Sequence, residues 1–117
     1  MLRFEGKDVY LACGHTDMRK SINGLSAIVE GSFGLDPFGS ALFVFCNRNR
    51  DRVKILEWDG DGFWLYFKRL EKGRFRWPDT DGSRVMTLTG DELYMLLGSP
   101  RVIQKLRRKE VQIGAVI

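Results

Sequence analysis

Two cysteines, one histidine and three prolines are all that this 117-residue chain holds of those residue types, and each scarcity excludes a class of protein. Cys13 and Cys46 stand far apart and form no Cys-x-x-Cys pair. Neither a zinc site nor the disulfide framework of a small secreted domain is expected, so both thiols are read as reduced and structural. No apolar run approaches the length needed to cross a bilayer, and Met1-Leu2-Arg3-Phe4-Glu5-Gly6-Lys7 lacks the apolar stretch of a signal peptide. A cytoplasmic protein without membrane contact is the resulting expectation. No Ser/Pro-rich linker, charge block or repeat divides the chain, which points to one domain over 1–117 with a basic helix or tail at about 99–117.

Catalytic groups are equally sparse. His15 has no nucleophile beside it in the sequence and reads as a loop or helix-entry residue. Asp59 with Asp61, and Asp79 with Asp81, are carboxylate pairs of the kind that two-metal nucleases cluster around Mg²⁺. Their Asp-Gly context is turn chemistry, however, and both pairs fall where strands need turns. No catalytic residue, metal site or cofactor is therefore expected.

What is present is core-forming material: 44% hydrophobic residues, 12% aromatic, and 29% charged with a formal charge of +4, which favours polyanionic partners. Val9 to Cys13 reads as a strand. After it Met18, Ile22, Leu25, Ile28 and Val29 recur at helical spacing, with Thr16 or Asp17 as cap and Asn23-Gly24 as an irregularity. Ala41 to Cys46, Arg52 to Trp58, Phe63 to Leu70 and Arg74 to Trp77 alternate with turn signals and predict an antiparallel meander.

Parity sets the register, because residues opposite each other in a hairpin share a face. Pairing Asn47 with Arg52 and Trp58 with Phe63 puts Phe43, Phe45, Leu56, Leu65 and Phe67 on one core face. Phe75 and Trp77 join it if Leu70-Glu71-Lys72-Gly73 closes with Gly73 in a left-handed G1 bulge. The other face carries Leu42, Val44, Cys46, Val53 and Ile55, to be covered by a helix, and then a basic, aromatic half. Val85 to Leu88 adds a strand. Thr89-Gly90-Asp91-Glu92 is a capping box opening a helix that Gly98 ends, and Ser99-Pro100 starts another. The expected fold class is α+β: a single domain with an antiparallel meander of about four to six strands and two or three helices packed on it.

Several ordered segments resemble one family. They are Thr16-Asp17-Met18-Arg19-Lys20 with Gly24-Leu25, Asp36-Pro37-Phe38, Leu42-Phe43-Val44-Phe45, Asn47-Arg48, Asp51-Arg52-Val53-Lys54-Ile55-Leu56, Trp58-Asp59-Gly60-Asp61-Gly62, and the run from Lys68 to Pro78. Across roughly residues 9 to 98 the chain is similar to the small accessory proteins called TnpB, the second open reading frame of IS66-family insertion sequences. These are distinct from the RNA-guided nuclease of the same name. The resemblance implies a non-enzymatic, accessory part in DNA transposition beside a separate, larger DDE-type transposase. Arg101 to Ile117 departs from the short ending expected in that family.

Candidate nucleic-acid contacts follow from charge and parity. Arg48, Arg50, Arg52 and Lys54 share one parity at the first hairpin and could reach phosphates; a solvated charged turn is the other reading. Trp64 and Tyr66 beside Lys68, Arg74 and Arg76 suit a stacking and phosphate-binding platform, or equally a protein interface. Arg19, Lys20 and the C-terminal Arg101, Lys105, Arg107, Arg108 and Lys109 add salt-sensitive phosphate contacts without sequence information. The expected partners are the transposase and DNA, and the competing reading is an adaptor that binds protein only.

Overall fold

The computed structural model of the chain describes residues 4–78 and 82–98. Within them β1 (Val9–Ala12), α1 (Ile22–Gly31), β2 (Leu42–Cys46), β3 (Arg52–Trp58), β4 (Phe63–Arg69), β5 (Val85–Leu88) and α2 (Gly90–Leu97) follow in order. The strands form one sheet in the order β4-β3-β2-β1-β5. The fold is α+β as expected, with five strands and, among the described residues, two helices.

The β2–β3–β4 meander has the register that parity predicts, with Phe43 opposite Leu56, Phe45 opposite Lys54 and Trp58 opposite Phe63. The sheet as a whole is mixed, which corrects the all-antiparallel expectation. β1 lies parallel to β2 and antiparallel to β5, so α1 is the crossover between two parallel neighbours. Every residue of β2 is buried because both faces of the sheet are covered at its centre.

One face packs Ala12, Phe43, Phe45 and Leu56 under Leu25 and Val29 of α1. The other packs Val9, Leu11, Leu42, Val44, Cys46, Val53 and Ile55 under Leu93 and Leu96 of α2, the covering helix that this face requires. Phe75 and Trp77 also lie on this second face, not with Phe43 and Phe45. Gly73 does adopt the left-handed conformation (φ 78°), but residues 74–78 after it form no strand. The Phe75 N–H donates to the Arg50 carbonyl, which leads the chain off the sheet edge and beneath it. An eight-residue α2 buries only Leu93 and Leu96, and the two aromatics fill the area that it leaves. The buried indole N–H of Trp77 is satisfied by the Ala12 carbonyl at 3.0 Å.

The two helix starts differ. At α2 the capping box is complete: the Thr89 hydroxyl accepts from the Glu92 N–H and the Glu92 carboxylate accepts from the Thr89 N–H. At α1 neither Thr16 nor Asp17 is the cap; Ser21 holds that position without a side-chain bond. Asp17 instead accepts from the backbone and guanidinium of Arg19, which keeps its carboxyl far below the usual range. Asn23-Gly24 is absorbed into the helix. The helix proposed from Ser99-Pro100 lies outside the described residues.

Candidate nucleic-acid interface

The β2–β3 turn is built by Asn47, whose side-chain oxygen accepts from the Asp51 and Arg52 N–H groups while its amide donates to the Asp51 carboxylate. This turn projects the four basic residues of like parity, and they divide into two kinds. Arg50 sits at φ 63°, donates to the Gly14 carbonyl at 2.8 Å and lays its guanidinium 5.8 Å from the Trp77 ring centre. Lys54 donates to the Met18 and Lys20 carbonyls at 2.8 and 2.9 Å, tying the loop before α1 onto β3. Both serve the fold. Arg48 is exposed at the tip, and Arg52 keeps only a 3.6 Å approach to Asp51.

On the α2 side of β4, Trp64 is 53% exposed and stacks on Tyr66 with ring centres 6.1 Å apart. Among the described residues no helix covers Trp64. Its indole N–H donates to Asp59, which lowers that carboxyl below its ordinary range. Tyr66 donates to Glu57 at 3.0 Å; burial and the neighbouring carboxylate push its phenol up to about 12. Lys68 donates to the Leu97 carbonyl at the end of α2. Arg74 is exposed and Arg76 half-buried, on the segment that passes beneath the sheet. The expected platform is thus cut down to Trp64 and Tyr66, since Lys68 secures α2 and the two arginines leave the strand. The basic residues Arg101, Lys105, Arg107, Arg108 and Lys109 lie outside the described residues.

Asp59 belongs to the turn and serves Trp64, and the Asp79 and Asp81 pair lies outside the described residues. Among the described residues no group of three or more His, Cys, Asp or Glu is placed to hold a metal, and His15 is exposed in a loop. Glu57, 7% exposed, is the buried charge that sequence reading missed; Lys7 pairs with it at 2.6 Å and Tyr66 completes the triad. A lone Glu at an inward parity between Leu56 and Trp58 was the available signal.

Burial separates the two thiols. Cys46 is fully enclosed, and desolvation pushes it up to about 11, whereas Cys13 is half-exposed. Titration with a chromogenic disulfide at pH 8 is expected to count one reactive thiol in the native protein and a second only in denaturant. Two fast-reacting thiols would contradict the packing of β2.

Phe67 belongs to the α1-side face by parity, yet it is 54% exposed because α1 does not extend over the edge strand β4. Beside it lies a shallow depression of about 580 Å³ lined by Asp17, Met18, Arg19, Asn47, Arg52, Lys54 and Phe67. At the opposite end of the hairpin Phe38, 53% exposed, packs on Trp58 and Phe63 with ring centres 5.1 and 5.4 Å away. Among the described residues no helix is long and apolar enough to cross a membrane.

Comparison with known proteins gives one family. The family described as "IS66 Orf2 like protein" matches residues 7–107, beyond the 9 to 98 span of the recognisable motifs and into the basic C-terminal stretch as far as Arg107. Two proteins of Sinorhizobium fredii are similar: the uncharacterized protein y4hO, 38% identical over 77% of this chain and 78% of its own, and the uncharacterized protein y4jC, 33% identical over 92% and 90%. No solved structure matches.

Proposed function

We propose, from the premise that this chain belongs to the IS66 Orf2-like protein family, a non-catalytic accessory role in the transposition of a bacterial insertion sequence. Membership associates the chain with insertion-sequence transposition. The accessory action proposed is contact with DNA and with the separate transposase. One observation carries the DNA part: on the β3–β4 hairpin the exposed Phe67 ring shares a sheet face with the facing pair Arg52 and Arg69, whose charges are only weakly countered by Asp51 and Glu71. The exposed Phe38 cluster and Trp64 favour a protein partner as well, since aromatic and Arg anchors dominate interfaces.

Titration of the full chain with DNA from the element's ends, at several salt concentrations, is expected to give binding that weakens linearly on a log–log plot. No binding at low salt, together with co-purification with the transposase, would leave the protein-only adaptor. A Mg²⁺-dependent nicking activity abolished by Asp59→Asn would overturn the non-catalytic reading.

A further inference from the structure

We infer that the depression between the loop before α1 and the β3–β4 hairpin, lined by Arg52, Lys54 and Phe67 and adjoined by Arg69, which faces Arg52 across the strand pair, takes an unpaired nucleotide of single-stranded DNA. This rests on the DNA-contact reading above and deepens it by naming the strand form and the residues.

The first ground is a like-charge pair. Arg52 and Arg69 face each other across β3 and β4. The Leu70 N–H donates to the Asp51 carbonyl, so the adjacent Arg52–Arg69 pair is a non-hydrogen-bonded one, in which side chains approach most closely. Two cations so placed repel and weaken the sheet. Their carboxylates do not resolve this: Asp51 stands 3.6 Å from Arg52, and the Arg69 contact to Glu71 at 3.1 Å is exposed on both sides. An anion between them does, and a phosphodiester matches the planar donor fork of arginine.

The second ground is Phe67, which follows along β4 on the same face and is 54% exposed. A Phe on an edge strand that leaves half its surface in water contributes little to a core. Lys54 lies 5.9 Å from its ring centre, held there by the Met18 and Lys20 carbonyls, so the ring is braced next to a fixed positive charge. A ring beside a pair of phosphate-binding arginines is the pattern of sheet surfaces that stack bases. In a duplex the bases are already stacked on each other, so the Phe67 ring has a partner only in an unpaired strand. At the rim Arg19 is held by the Asp17 carboxylate at 2.7 Å, so the two charges balance there and the excess positive charge of the depression comes from the hairpin side.

The test titrates the full chain with a fluorescein-labelled thymidine oligonucleotide and with a duplex of the same length, over a salt series. Single-stranded DNA is expected to bind more tightly than duplex. Phe67→Ala should weaken it by about tenfold with the salt slope unchanged, as loss of a stacked base does. Arg52→Gln with Arg69→Gln should lower the slope of log K against log salt by about 1.4, two phosphates' worth, with a melting temperature equal to or above that of the parent. A folded Phe67→Ala that binds like the parent, a preference for duplex, or an unchanged slope in the double variant overturns the inference. If the parent binds DNA and the variants do too, only the site is wrong; if the parent binds neither form, the DNA reading falls with it.

Discussion

Trp77→Ala is expected to remove about 3–5 kcal/mol of folding stability, the cost of truncating a large buried aromatic. For a domain of this size that corresponds to a fall in melting temperature of at least about 10 °C. The residue is 8% exposed, stands among Val9, Val44 and Cys46, donates to Ala12 and supports the Arg50 guanidinium. Trp77→Phe keeps much of the packing and forfeits the indole hydrogen bond, so its cost should be smaller, about 1–2 kcal/mol. Urea denaturation of both variants measures the difference. A loss under about 1 kcal/mol in Trp77→Ala would mean that residues 74–78 do not pass beneath the sheet.

Gly90→Ala should destabilise by about 1–3 kcal/mol, although at an ordinary first-turn position the same change favours a helix. The reason is proximity: a Cβ on Gly90 would run into the Phe4 carbonyl oxygen, and backbone cannot swing aside as a side-chain tip can. Phe4 is held there by its edge-on contact with Tyr94, so the added methyl pries the segment before β1 away from α2. Gly31→Ala is the control, because a Cβ there meets nothing within 4 Å; it should be neutral or slightly stabilising. Thermal melts that rank the two variants equally would reject the close packing of residue 4 on α2.

Where structure follows from local rules, the residues announce it. Turn dipeptides and parity fix the β2–β3–β4 register, and Thr89 with Glu92 marks the start of α2. What escaped depends on partners far along the chain. The parallel pairing of β1 with β2 leaves no periodic trace in a four-residue strand. The side on which Phe75 and Trp77 fall is decided by one hydrogen bond to Arg50, in another turn. The candidate site shows the same division. Arg50, Lys54 and Lys68 look like free charges until the carbonyls of Gly14, Met18, Lys20 and Leu97 are seen to occupy them. Arg69 and Phe67 carried no separate signal, since Phe67 has core parity and its exposure arises only where α1 stops.

The position of β1 between β2 and β5 imposes an order of assembly. The β2–β3–β4 hairpins join near neighbours and can close quickly, whereas β1 draws one edge from the opposite end of the described chain. A ribosome releases β1 first, yet its outer row of N–H and C=O groups stays unpaired until Val85–Leu88 has emerged. During that interval the nascent chain carries an open apolar edge, and a chain cut short before β5 keeps it permanently. Truncation at the C-terminal side of the meander is therefore expected to yield aggregates instead of a smaller soluble domain.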